Sequence, residues 1–126
     1  MTDGAIQAMA GRRILLVEDE YFIVDDMLRV FEESGAEVIG PAGSVADALG
    51  ILAATPRIDG AVLDLNLRGE MSFPVADALE ARGVPFVFAT GYEQSVIPAT
   101  YGHVPRCEKP VSPERIATTL FPKQAT

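Results

Sequence analysis

Five short apolar runs, each closed by polar or turn-forming residues, alternate with stretches in which apolar residues recur every three or four positions. The first run, Arg13–Val17, stops at Glu18-Asp19-Glu20; the second, 37–41, contains Gly40 and Pro41, which suit a sheet edge. The third, Ala61-Val62-Leu63-Asp64-Leu65-Asn66-Leu67, is broken by Arg68-Gly69-Glu70, and the fourth, 84–91, stays apolar until Thr90 and Gly91. The fifth, 104–108, is mixed in polarity, contains Pro105 and ends at Lys109-Pro110. Apolar runs bounded by turn signals predict strands buried on both faces, so the first, third and fourth are central and the others are edges.

The intervening stretches predict helices. Val24, Met27, Leu28 and Phe31 form one apolar stripe, with Gly35 at the C′ position. Ser44 caps a second helix that turns Val45, Ala48, Leu49 and Leu52 inward and ends at Thr55-Pro56. Ser72 caps a third, with Val75, Ala78 and Leu79 inward and Gly83 closing it. Ser112, Pro113 and Glu114 start a last helix, buried through Ile116, Ala117 and Leu120. Between Tyr92 and Pro105 the helical pattern fails: Gly91, Pro98, Gly102 and Pro105 leave room for one turn at 93–97. Strands alternating with helices imply βαβ units, and right-handed crossovers between those edges predict a doubly wound α/β fold with a five-stranded parallel sheet in the order 2-1-3-4-5.

A length of 126 residues makes one domain, with 12–122 as its body and 1–11 and 123–126 as flexible tails. No apolar run reaches the 18 residues of a membrane span, and 1–11 lacks the basic and apolar regions of a secretory signal. Cys107 stands alone, so there is no internal disulfide; it is expected as a small core residue in a protein of the reducing cytoplasm. A net charge of −8 argues against DNA or an anionic membrane as partner.

A lone carboxylate is costly in the middle of a buried strand, so Asp64 is expected where the third strand ends, and there it is either a turn-forming aspartate or the centre of an active site. The predicted strand order decides between them, because ligands collect at the carboxyl ends of strands near the switch point. Glu18, Asp19 and Asp64 converge there, with Thr90 and Lys109 at neighbouring strand ends. Each carboxylate pair at about 4 Å costs on the order of 4 kcal/mol at an effective dielectric of 20, so such a cluster calls for a hard divalent cation. Mg2+ fits, because it needs few carboxylates and keeps several waters. An ammonium and a hydroxyl in the same place can hold the oxygens of a phosphoryl group in transfer, and a carboxylate can accept it as an aspartyl phosphate.

On Glu18-Asp19, Asp64, Thr90 and Lys109-Pro110 at successive strand ends, the chain resembles the receiver domains of two-component response regulators, with their flavodoxin-like fold. The resemblance implies that Asp64 accepts phosphate from a sensor histidine kinase, a histidine phosphotransfer protein or a small phosphodonor. It implies that Asp19, Asp64 and the backbone carbonyl of Asn66 ligate Mg2+, with Glu18 acting through metal-bound water. Thr90 and Lys109 then bind phosphoryl oxygens, Thr90 moves on activation, and the Lys109–Pro110 bond is cis. Turnover is not that of a conventional enzyme: the domain catalyses its own phosphorylation and dephosphorylation. Phe88-Ala89-Thr90-Gly91-Tyr92 further resembles the signature of the FAT GUY receivers, which work with HWE or related kinases and have a degenerate fourth helix. Arg106 departs from the family, which carries an aromatic residue there; readout is then expected through Tyr92, Tyr101 or ordering of their loop.

Other readings stay beside these. Glu20 is an acidic helix start, His103 a surface residue rather than a phosphodonor, and Tyr92 and Tyr101 are packing residues before they are switches. With few residues after the last helix, a stand-alone switch or a phosphate sink is expected to signal through a downstream protein target. A phosphorylation-independent interaction module would ordinarily have lost part of the acid–Thr–Lys set. A flavodoxin-like cofactor binder would carry glycines where Glu18-Asp19-Glu20 stands, and an aspartate-based phosphatase would carry a second carboxylate at Asn66.

Overall fold

The computed structural model describes residues 8–91, 97–109 and 111–122. In chain order its elements are β1 (Arg13–Val17), α1 (Tyr21–Glu33), β2 (Glu37–Ala42), α2 (Val45–Ala54) and β3 (Gly60–Asp64). There follow β4 (Asn66–Leu67), β5 (Glu70–Met71), α3 (Phe73–Ala81), β6 (Phe86–Thr90), a 3-10 turn at Ala99–Tyr101, β7 (Arg106–Glu108) and α4 (Pro113–Leu120). Five strands pair in parallel in the order β2-β1-β3-β6-β7, which is the predicted 2-1-3-4-5 counted along the sheet. This is the doubly wound, flavodoxin-like receiver architecture.

Alternation along the strands sorts the core into two layers. Leu15, Leu63 and Phe88 face α2 and α3 together with Val45, Leu52, Val75 and Leu79. Ile14, Leu16, Val62 and Val87 face the other way and pack with Met27 and Phe31 of α1 and Ile116 and Leu120 of α4. Cys107 belongs to this second layer, 1% exposed, as expected of a core residue. The helix ends follow local chemistry. Ser44 accepts from the Asp47 N–H, Ser112 accepts from the Arg115 N–H, and Gly35 takes a φ of 88° past the end of α1.

Several expectations need correction. The third apolar run does not continue as strand to Leu67: β3 ends at Asp64, where the lone carboxylate was expected to sit, and beyond it Leu65 is buried and the chain turns into the antiparallel β4–β5 hairpin. Leu49 lies at the surface, 36% exposed, because Val45, Ala48 and Leu52 already fill the face of α2 that meets the core. Ser72 occupies the N-cap position of α3 without a capping hydrogen bond from its side chain. Residues 8–11, expected within a flexible tail, are packed: Met9 is fully buried in the second layer. The Gly11 N–H donates to the Gly35 carbonyl at 2.9 Å, and Arg12 Nε donates to the Ala8 carbonyl at 3.1 Å. Burying a methionine offsets the ordering of this short segment. The expected tails at 1–7 and 123–126 lie outside the described residues, as do Tyr92 and Pro110, and with Pro110 the Lys109–Pro110 bond.

In place of a helix between β6 and β7, the described residues hold only the 3-10 turn. Side chains fasten it to α3. The Tyr101 ring stacks on Phe73 with centroids 4.6 Å apart, its hydroxyl donates to Asp77 Oδ1 at 2.7 Å, and His103 Nε2 contacts Glu80 Oε2. His103 is thus exposed, as read from the sequence, but it has an acidic partner that sequence spacing does not reveal.

Arg82, just past α3, closes the end of α2. Its guanidinium donates to the carbonyls of Leu52 at 2.6 Å, Thr55 at 2.8 Å and Pro56 at 2.9 Å. Thr55 and Pro56 lie beyond the helix, and among the described residues the Leu52 carbonyl in its last turn otherwise accepts only the Thr55 N–H at 3.3 Å. Arg82→Ala is expected to cost about 1–2 kcal/mol, a charged hydrogen-bond donor's contribution reduced for partial exposure. Arg82→Lys should recover less than half of that, because an ammonium cannot span the three acceptors. Urea unfolding midpoints at constant m-value measure both.

Candidate functional site

Four strand ends build the site. β1 delivers Glu18 and Asp19, with the chain held by the Glu18 N–H donating to the Ala42 carbonyl at 2.9 Å. β3 delivers Asp64, whose Oδ1 accepts the Asn66 N–H at 3.3 Å. Thr90 ends β6, one residue beyond Ala89, which is in register with Asp64. The Lys109 N–H donates to the Thr90 carbonyl at 2.8 Å, which sets the lysine beside the aspartate.

The side chains meet as the strand order requires. Lys109 Nζ lies 2.8 Å from Glu18 Oε1 and 3.3 Å from Asp64 Oδ1. Carboxylate oxygens of Glu18, Asp19 and Asp64 all lie within 4.8 Å of one another. Glu18 is 2% exposed and Asp64 8%, so their charges sit largely out of water. Burial, then the neighbouring Glu18, pushes the Asp64 carboxyl up to about 7, against the opposing pull of Lys109 and the Asn66 N–H. Burial alone would lower the Lys109 ammonium, but its contacts with Glu18 and Asp64 outweigh that and raise it.

The donor set fits a hard divalent cation. Carboxylate oxygens this close could share one such ion, directly or through the waters that Mg2+ keeps. Among the described residues Glu18 Oε1 accepts no aligned hydrogen bond and faces only the Lys109 ammonium. Three carboxylates against one buried ammonium leave an excess of negative charge that a dication would neutralise. Asn66 is exposed, and its side-chain oxygen accepts the Gly69 N–H at 2.6 Å.

Sequence reasoning passed over Arg68, taken only as a breaker after the third run. Its Nε lies 2.8 Å from Asp19 Oδ2, so it touches the rim of the cluster. The available signal was a cation before glycine in a tight turn four residues after Asp64. Beside Lys109 a groove of about 720 Å3 opens between α1 and the start of α4, lined by Phe22, Ile23, Met27 and Val111 among others. Tyr21 and Phe22 stand exposed at this end of α1, edge to face.

Comparison with known proteins places this geometry. No protein-family model matches the chain, and no protein of curated function matches it. Among solved structures it is similar to SdrG from Sphingomonas melonis Fr1, in solution, at 39% identity over 87% of this chain and 93% of that one, with a TM-score of 0.76. The BeF3-activated conformation of SdrG from Pseudomonas melonis Fr1 aligns at 38% identity over 82% of this chain and 87% of that one, with a TM-score of 0.68. A response regulator receiver protein from Sinorhizobium medicae WSM419 shares the fold at 24% identity over 87% of this chain and 91% of that one, with a TM-score of 0.69.

Proposed function

We propose that this chain, which belongs to the receiver family of response regulators, is a phosphoacceptor switch with Asp64 as its phosphorylation site. One observation carries the reading: Glu18, Asp19 and Asp64 meet within 4.8 Å of one another with Lys109 Nζ against two of them. An interaction module that never takes phosphate has no use for three crowded carboxylates, two of them buried.

The residues divide the work. An ionised Asp64 oxygen attacks the phosphorus of a phosphohistidine; the new O–P bond forms as the P–N bond breaks, and the imidazole leaves with the electron pair and takes up a proton. Lys109 neutralises one phosphoryl oxygen, and the Thr90 hydroxyl donates to another once the acyl phosphate stands at the strand end. Asp19, Asp64 and the Asn66 carbonyl would hold Mg2+, with Glu18 acting through its water shell. When bound, the metal supplies positive charge that favours the ionised Asp64 and offsets charge on the transferring group. Hydrolysis of the acyl phosphate on the same residues resets the domain, so it turns over its own modification and no other substrate.

The donor is a sensor histidine kinase or a histidine phosphotransfer protein, and the groove beside Lys109, with Phe22 at its edge, offers apolar surface next to the reacting aspartate. Phe88-Ala89-Thr90-Gly91-Tyr92, and a β6–β7 connection whose described residues form only a 3-10 turn, support membership of the FAT GUY subgroup and an HWE-type kinase. None of the described helices is long and apolar enough to cross a membrane; we place the protein in the cytoplasm with such kinases. Arg106 is exposed on β7, whereas Tyr101 stacks on Phe73 and meets Phe88 edge to face, two residues before Thr90. That chain of rings supports readout through Tyr101 in place of the usual aromatic. Output then passes to a downstream protein target, and 12–122 is the receiver body.

Incubation with Mg2+ and acetyl phosphate or a phosphorylated histidine kinase is expected to give an acid-stable, hydroxylamine-labile phosphate that maps to Asp64. BeF3− with Mg2+ should shift amide resonances at the ends of β1, β3 and β6. Absence of both label and shift with every donor would leave only the interaction module.

A further inference from the structure

Arg68 occupies a position that its chemistry does not favour. It has a φ of 53°, Gly69 follows at 91°, and the two link β4 to β5 as a two-residue hairpin turn with left-handed backbone at both centres. Asparagine or glycine takes that first position readily; an arginine there is strained. Strain of this kind persists where the surroundings over-determine it. Here the Gly69 N–H donates to Asn66 Oδ1, Leu67 is buried, and Glu70 Oε1 accepts the Val45 N–H at the start of α2, 3.3 Å away. The turn is therefore anchored on three sides. From it, a side chain 80% exposed directs its guanidinium to Asp19 Oδ2, whose own side chain is only 14% exposed.

We propose that Arg68 competes with the divalent cation for Asp19. Without metal, the guanidinium supplies a second positive charge to a cluster of three carboxylates already facing Lys109. A cation that takes the same carboxylate must displace Arg68 and bind next to a like charge. Metal affinity is thereby held below what the three carboxylates alone would give. The proposal rests on the cluster's being a Mg2+ site, as argued above.

Titration of the metal-free protein with MgCl2 by calorimetry tests it, using Arg68→Asn and Arg68→Ala. Asparagine relaxes the turn and removes the charge; alanine removes the charge and leaves the left-handed backbone strained. Both variants should bind Mg2+ roughly three- to ten-fold more tightly than the parent, the range expected from losing an exposed ion pair and a nearby cation. In the parent protein, the Arg68 Nε–H resonance should move as the metal saturates. Equal or weaker affinity in both variants overturns the competition. So does tightening in Arg68→Asn alone, which would make turn relaxation responsible rather than charge. If the parent protein itself takes up no Mg2+, the phosphoacceptor reading of the site fails along with this one.

Discussion

Asp64→Asn should abolish the acyl phosphate label and, in metal-free buffer at pH 8, make the protein more stable than its parent. The second effect follows from burial. Asp64 titrates near 7 when folded and near its ordinary value of 3.8 when unfolded. Between those values the folded state keeps a proton that the unfolded state has released. The associated stability is complete below about pH 4 and is lost as pH rises through about 7. Each pH unit separating the folded from the unfolded titration is worth about 1.4 kcal/mol, which sets an upper bound of about 4 kcal/mol on the penalty above the window. Because the charge is shared with Glu18 and Lys109, and pH 5 already lies inside the window, the loss between pH 5 and pH 8 is expected at roughly 1–3 kcal/mol. Asparagine never ionises and escapes the penalty. Urea unfolding in EDTA at pH 5 and pH 8, for parent and variant, isolates this residue because other titrations cancel in the double difference. Added Mg2+ should restore the parent at pH 8 and do little for Asp64→Asn. A parent as stable at pH 8 as at pH 5, with no gain from the substitution, would rule out a carboxylate destabilised by burial.

Lys109→Met should act in the opposite direction on stability and in the same direction on phosphorylation. Removing one partner of a buried ion pair leaves the other uncompensated, and Glu18, with 1% of its side chain exposed, cannot turn to water. The cost is expected at about 3 kcal/mol in EDTA at pH 8, the low end for such a loss, because Asp64 takes up a proton more readily once the ammonium is gone. Added Mg2+ should recover part of it by supplying positive charge. Labelling should slow roughly 100-fold, as when one preorganised donor to a developing oxyanion is removed. Combined with Asp64→Asn, the destabilisation should shrink, since one of the two carboxylates that Lys109 serves no longer bears charge. Strictly additive effects in that cycle would mean that Lys109 and Asp64 do not share a site.

Much of this architecture was legible in the sequence because each local signal agreed with the others. Apolar runs ending in Glu18-Asp19, Asp64, Thr90 and Lys109 placed the chemistry at strand ends, and the strand order then set the first, third, fourth and fifth runs side by side in that order. Ser44, Ser112, Gly35 and Gly83 punctuated helices where the structure has them. What escaped depended on distance in sequence. Nothing local shows that Arg82 reaches carbonyls 26 to 30 residues earlier, or that Tyr101 and His103 find Asp77 and Glu80. Met9 looked like part of a tail because a single apolar residue carries no periodicity. The third run stays apolar past Asp64, where the strand was expected to end, and nothing local shows that Leu65 and Leu67 are buried in a turn and a hairpin. Leu49 fitted the helical stripe and still lies outside, since periodicity gives the face and not its width.

The described part of the β6–β7 connection, Ala99–Val104, is held differently from the helices. A helix holds itself through a ladder of backbone bonds and melts as a unit, whereas this segment rests on the Tyr101 ring against Phe73 and Phe88, the buried Val104, and two side-chain pairs. Such a fastening can come undone pair by pair while the sheet stays intact, at a free-energy cost far below global unfolding. Opening of this segment is expected to uncover surface on the flank of β6, the strand whose end carries Thr90.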